Sequence, residues 1–584
     1  MRRLIFRLYH GMARATFASV KRTKIHGKDS RATKMKKTLT QIGIVLPIFF
    51  FLLTLFTYAV NVPWFDDIDA FPETVVQWIQ GSFWEGIKLL FRPNNEHRML
   101  LGRLFAVLCY QFTGELNMRW LILVMNLQLM GILYLFWKVF QRQGLPTLYF
   151  LPVGLLLLHP QYHLTSLWAI TGWQHESVLF WGFLSVYLLT KNTNKYFVWA
   201  ILTMFITTFS MSNGMFFWLA GLVVLLLQKR NKLLLLWAVL MTLFIGLYFY
   251  GFDNQANNTG LEYLKKYPHE SFFGFFTLLG GSFDFMPQWE IIKRSILPTI
   301  MGFAVMIFCT FWVWKIAKNY LQKQPVTVQD RDKFFVLGCF IFVILNAAII
   351  ALLRPRFGYF VMLVGNYKIY PALLLTLSYL MLLLNFKNQN KQLLNACLIF
   401  ALIFNWISYW KFLPEVAERH KKMLVNIYNQ QHNAIGLAAE VNSPFALKTV
   451  QTLNFLTARK AYFYSQWTDN QAISKTFNLG SPISEIQIHQ QSKQDIVIES
   501  SNFEVGSGKT DGIYLVLKST TRTYLLFADP KPFLGKNPFV KMKGFSVKIP
   551  AKLYQPDNYE IGIYEIKEGR IKVYRTNQKI DINF

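Results

Sequence analysis

Apolar runs close to twenty residues long recur through about the first seven tenths of the chain, and short polar stretches rich in Lys and Arg separate them. That pattern predicts a polytopic α-helical membrane protein, since about twenty apolar residues in a helix cross a bilayer. The runs place about eleven spans, near 38–60, 117–140, 145–164, 178–190, 196–211, 215–227, 233–252, 296–314, 334–353, 370–384 and 393–410. After the first span, two weakly amphipathic stretches near Pro72–Gln80 and Phe83–Phe91 predict helices lying in the interface, with Trp78 and Trp84 at headgroup depth. Met99–Phe112 is short and interrupted by Arg103, which predicts a partly embedded helix. Pro414–Ala439 reads as helical. From about Gln494 the period changes. IVIES, GIYLVLK, TYLLFA, FSVKIP, YEIGIYEIK and RIKVYR are short β-branched and aromatic runs between turn residues, which predicts a small β-sandwich. The expected organisation is a basic cytoplasmic tail over 1–37, a transmembrane domain over 38–410, a helical connector over 411–493 and a β-rich domain over 494–584.

Composition agrees with this reading. Hydrophobic residues make up 53% and charged residues 16%, with 54 Phe and 17 Trp. The net charge of +30 would suggest nucleic acid in a soluble protein, but the basic residues sit in short loops, where they orient a membrane protein. Met1–Lys37 carries twelve Lys or Arg against Asp29 alone. This fixes the N-terminus inside, and eleven spans put the β-rich domain outside. The four cysteines form no close pair, so neither a disulfide framework nor a zinc site is expected.

Candidate chemistry gathers on the outer side. The loop 61–116 opens with Asp66, Asp67 and Asp69; a carboxylate at a membrane surface can act as a general base or hold a divalent metal. Asp69 fits a solvated turn better. Glu96, His97 and Arg98 follow, read as a cluster at a helix start, where His97 could orient an acid and Arg98 could grip a phosphate. Arg98, Arg103, Arg354, Arg356 and Lys368 lie outside against the usual charge bias, so they call for an anionic partner, a lipid headgroup included. Tyr367 and Tyr370 flank Lys368. His159, His163, Gln174, His175 and Glu176 suit the lining of a polar cavity, which Ser212 and Asn213 could share.

The acids after span one, the NEHR run, the Gly172–Trp173–Gln174 turn, the Ser212–Asn213–Gly214 turn and a late arginine-rich segment before a Tyr-rich span together resemble bacterial membrane glycosyltransferases of the GT-C class over roughly 38–410. The resemblance implies a polyprenyl-phosphate-linked sugar donor and a glycan, lipid or protein acceptor at the outer face of the inner membrane. It implies inverting transfer with Asp66 or Asp67 as base. No cofactor is expected beyond a divalent metal, whose requirement stays open. Substrate contacts would fall to Glu96, His97, Arg98, Arg103, Gln174, His175, Arg354, Arg356, Tyr367 and Lys368. Relatives carry an Arg-Tyr pair where this chain has Asn366-Tyr367, so Lys368 or Arg356 would supply the missing charge. The rival is a lipid-linked saccharide transporter, although its polar groups would be expected at mid-membrane rather than at the outer rim.

Overall fold

The computed structural model describes residues 30–94, 97–191, 193–252, 259–322, 327, 330–385, 391–437, 440–465, 473, 480–483, 486–492, 495–506, 508–531 and 543–582. Most of the basic tail and Glu96 lie outside the described residues. The chain divides into two compact units.

The first unit holds the described residues of Met1–Phe56, Leu90–Gly102 and Val124–Leu413 and is helical. Among the described residues of the whole chain, six helices are long and apolar enough to cross a membrane: Thr40–Tyr58, Met118–Gln141, Asn231–Phe249, Ile291–Leu321, Asp330–Leu353 and Lys391–Asn433. Asn231–Phe249 and Ile291–Leu321 leave Leu235, Val239, Leu243, Ile292, Ile300 and Ile307 exposed. Rows of exposed aliphatic side chains on helices of that length fit lipid as their solvent. Ala169–Leu189 is buried on nearly every side and forms the centre of the unit.

Of the other expected spans, three fall on shorter helices, Asn194–Ser210, Phe216–Leu227 and Ile369–Asn385, and the one near 178–190 lies within Ala169–Leu189. The stretch expected as a span over 145–164 is instead broken into Thr147–Phe150, Leu151–Leu157, Pro160–Tyr162 and His163–Ser166. Proline causes the break: Pro152 and Pro160 each sit in a first helical turn, the place where a missing N–H costs nothing.

Two contacts tighten this unit. A Cβ on Gly302 would come within 2.0 Å of the Phe276 carbonyl oxygen, so Pro268–Leu279 and Ile291–Leu321 meet backbone to backbone. Arg142 Nε donates to Asp332 Oδ1 at 2.9 Å and Gln143 Nε2 to Oδ2 at 3.0 Å, joining the end of Leu127–Gln141 to the start of Asp330–Leu353.

The second unit holds the described residues of Thr57–Leu89, Arg103–Leu123 and Pro414–Phe584. The two helices expected after the first span are present as Pro72–Gln80 and Phe83–Leu90, and Trp84 is 73% exposed. Two sheets form a sandwich. In the first, strand order is Ser481–Ile483, Arg570–Ile582, Asp557–Lys567, Gly512–Lys518, Thr523–Phe527. In the second it is Gln487–Ser492, Asp495–Ser500, Phe545–Pro550, Asp529–Pro530. Ile498, Leu515, Leu517, Val547, Ile561 and Ile563 fill the space between them. Ser481–Ile483 and Gln487–Ser492 begin before the expected boundary at 494. Both are edge strands, which need little apolar character, so their sequences carried no strand signal.

The expected connector is in part the continuation of Lys391–Asn433, which runs through Pro414. Val425 and Tyr428 of this helix pack on Tyr514, Val516, Leu525 and Phe527 of the first sheet. Asn429 Nδ2 donates to the Leu525 carbonyl at 2.7 Å, and its Oδ1 accepts from the Leu525 N–H at 2.9 Å. Both Leu525 groups are buried, so Asn429→Ala strands a donor and an acceptor together. The expected loss is about 2–3 kcal/mol, read as earlier proteolysis of the sandwich in the purified full chain.

Candidate functional site

The acidic turn belongs to the second unit. Tyr58 ends the first helix, and Asn61 pins the exit: its Oδ1 accepts from the Met118 N–H at 2.7 Å, and its carbonyl accepts from Tyr462 Oη at 3.0 Å. Phe65 then takes φ 51°, a left-handed conformation that costs a non-glycine residue about 1–3 kcal/mol. The strained residue stands directly before the acids.

The three carboxylates have different fates. Asp67 is buried, accepts from the Trp64 N–H at 3.0 Å, and feels the charge of Arg419, whose guanidinium lies 4.6 Å from the Trp64 ring centre. Asp69 pairs with Lys448 at 2.7 Å. Asp66 is half-buried, and its carboxylate makes no hydrogen bond or ion pair among the described residues. Burial, and after it the charge of Asp69, push its pKa above the usual aspartate range. In the same unit Arg103 is buried, with Nη1 donating to the Leu89 carbonyl at 3.1 Å.

A second polar cluster lies in the helical unit. His97 and Arg98 do not start a helix. They form one side of a two-residue antiparallel pair, Pro93↔Arg98 and Asn94↔His97. In extended chain, consecutive side chains point to opposite faces. His97 Nδ1 meets Ser212 Oγ at 2.9 Å, whereas Arg98 turns away to the backbone carbonyls of Phe91, Tyr248 and Tyr250. Three peptide carbonyls and two rings thus occupy Arg98, the Tyr248 ring at 5.8 Å and the Phe252 ring at 5.1 Å.

Around His97 the structure gathers several expected residues. His175 Nδ1 lies 2.6 Å from Tyr370 Oη, and Asn213 Nδ2 lies 3.1 Å from the same oxygen and 2.8 Å from Asn346 Oδ1. An amide nitrogen only donates, so the phenol accepts from Asn213 and passes its own hydrogen to His175 Nδ1. That leaves Nε2 as the donor of the ring. The Tyr367 ring stands edge-on to His175 at 6.0 Å, and the charges of His97 and Arg354 reach His175. Gln174 touches Met99 Sδ at 3.6 Å. Gly214 makes the Ser212–Met215 turn possible, because a Cβ there would lie 2.2 Å from the Thr207 carbonyl. Glu176, next to His175, is fully buried, and neither carboxyl oxygen has a hydrogen-bond partner among the described residues.

Arg354 and Arg356 are half-exposed, with guanidinium groups 5.8 and 4.7 Å from the Phe357 ring centre. Lys368 is placed differently: it is buried, donates to Asp284 Oδ2 at 2.7 Å and lies over the Phe412 ring. Arg294 grips the same carboxylate, with Nε 2.9 Å from Oδ1 and Nη2 2.5 Å from Oδ2. Burial alone would raise the Asp284 pKa, but the Arg294 hydrogen bond and the Lys368 and Arg294 charges outweigh it and hold it below the usual range.

The reading of the sequence missed Asn346 and the role of Asp284. A lone Asn inside an apolar helix was a signal for the first; nothing local marked the second. His159 and His163 share no helix face, because Pro160 starts a new turn between them. Among the described residues no three His, Cys, Asp or Glu side chains converge as metal ligands. No protein-family model, curated protein or solved structure matches the chain.

Proposed function

We propose that the chain is a membrane glycosyltransferase of GT-C-like architecture, with about eleven spans and its sandwich on the outer side of a bacterial inner membrane. It moves a sugar from a polyprenyl-phosphate donor to a hydroxyl acceptor. Asp66 carries this reading: a carboxylate just past a membrane helix, after a strained residue, with no hydrogen-bond or ion-pair partner among the described residues. Asp66 takes the acceptor's proton as that oxygen bonds to the sugar's anomeric carbon. The bond from that carbon to the phosphate oxygen breaks with inversion, and its electron pair leaves with the polyprenyl phosphate. The departing phosphate calls for cationic side chains beside it. Lys368, neutralised by Asp284, instead holds its own segment in place.

The test is transfer by the purified full chain, in liposomes, from a panel of polyprenyl-phosphate sugars. It is paired with mass spectrometry of envelope glycans from cells with and without the protein. A glycan lost with the protein supports the reading; unchanged glycans and no transfer from any donor overturn it.

The raised pKa of Asp66 predicts a pH profile. A base works only as the anion, so activity rises with pH through a limb above the usual aspartate range. Asp69→Asn removes a neighbouring negative charge and moves the limb to lower pH. Lys448→Met unmasks Asp69 and moves it higher. A limb fixed in both variants assigns the titration to another group.

One observation favours the transporter instead. Glu176, buried in the central helix with no hydrogen-bond partner among the described residues, is the kind of group that transport uses. Substrate crossing liposomes without a new glycosidic bond would select that reading.

A further inference from the structure

The end of Ile291–Leu321, the first turn of Asp330–Leu353 and the end of Ile369–Asn385 enclose a cavity of about 350 Å³. Among the described residues Lys315, Lys318 and Lys333 line it, with the amides of Asn319 and Asn385. Lys333 is offset by Asp330 at 2.9 Å. Lys315 and Lys318 have no carboxylate partner among the described residues; they lie over the rings of Phe311 and Trp314, at 4.8 and 5.4 Å. The cavity therefore keeps an excess of positive charge.

Trp314 also lines a second space, an apolar groove of about 610 Å³ whose other walls include Phe276, Phe303, Met306, Ile307 and Phe311. The groove and the basic cavity thus meet at one residue. From Phe303 to Trp314 the helix rises about 17 Å at 1.5 Å per residue. That is close to half of a hydrocarbon core of about 30 Å, the depth of one leaflet.

We propose that this paired cavity and groove bind one anionic diacyl phospholipid of the bilayer. The phosphate sits among the lysines and an acyl chain lies along the aromatic groove. A soluble anion would leave the groove empty, and a zwitterionic lipid would leave the ammonium groups uncompensated. A groove one leaflet deep suits an acyl chain rather than a long polyprenyl chain. The proposal does not depend on glycosyl transfer.

The experiment is native mass spectrometry of the detergent-purified full chain with phosphatidylglycerol, phosphatidylcholine or a long-chain polyprenyl phosphate. Phosphatidylglycerol is expected to bind about tenfold or more tightly than phosphatidylcholine, the scale of two lysines at an anionic headgroup. Lys315→Gln/Lys318→Gln should abolish that preference, and Lys229→Gln/Lys232→Gln should keep it. Ile307→Trp, which fills the groove and spares every lysine, should weaken phosphatidylglycerol binding. Equal binding of the two phospholipids, a preference that survives Lys315→Gln/Lys318→Gln, or displacement by equimolar polyprenyl phosphate would each overturn the proposal.

Discussion

Asp66→Asn should fold normally and lose sugar transfer by about 10²–10⁴-fold, the range that general-base catalysis contributes. Normal folding is expected because the Asp66 carboxylate supports nothing: it caps no N–H and pairs with no cation among the described residues. Asparagine keeps the size and removes the basicity. The Asp67→Asn comparison makes the test sharp. That carboxylate holds the Trp64 N–H and faces Arg419, so its loss should appear first as reduced thermal stability. Turnover at saturating donor, measured with melting temperature in the same detergent, separates the two. An inactive Asp67→Asn protein that melts normally, beside a fully active Asp66→Asn protein, would transfer the base assignment to Asp67.

The largest stability effect is expected at Asp284. Asp284→Asn leaves Lys368, which is buried, and Arg294 without their shared anion, and breaking a buried pair in this way costs about 3–5 kcal/mol. Lys368→Met should cost less, since Arg294 still holds both carboxylate oxygens. The asymmetry follows from counting charges: removing the acid leaves two cations, and removing the lysine leaves a neutral pair. A depressed carboxyl pKa contributes stability that is complete above the ordinary aspartate range and is lost as pH falls through the depressed value. The wild-type protein should therefore lose melting temperature on acidification below that range, and Asp284→Asn should lose less. Equal melting of Asp284→Asn and wild type would remove the triad from the fold's supports.

The parts legible in the sequence were those whose signal is periodic and local. Six strands of the sandwich fall where runs of β-branched and aromatic residues put them, because each has one face toward Ile498, Leu515 and their neighbours. Long apolar helices were equally visible. The hairpin carrying His97 was not: two residues per strand hold no period, and Glu96, His97 and Arg98 read as a helix start. Lys368 was legible as a cation on the expected outer side, but not as a paired one, because Asp284 lies 84 residues away along the chain. His175, Gln174, Tyr367 and the Ser212–Asn213 turn were identified as polar residues among apolar ones. The meeting of His175 and Asn213 at Tyr370 needed coordinates, since contacts across three separate segments leave no spacing to read.

The Thr523–Phe527 strand is the last of its sheet, and such a strand normally offers unpaired peptide groups to any passing chain. Here Asn429 takes both groups of Leu525, and Asn433 donates to the Thr523 carbonyl at 2.8 Å. Two side chains thus imitate a sixth strand and block end-to-end polymerisation of the sheet. A fragment begun after Asn433 would lose that seal, and its tendency to form fibres should exceed that of the full chain.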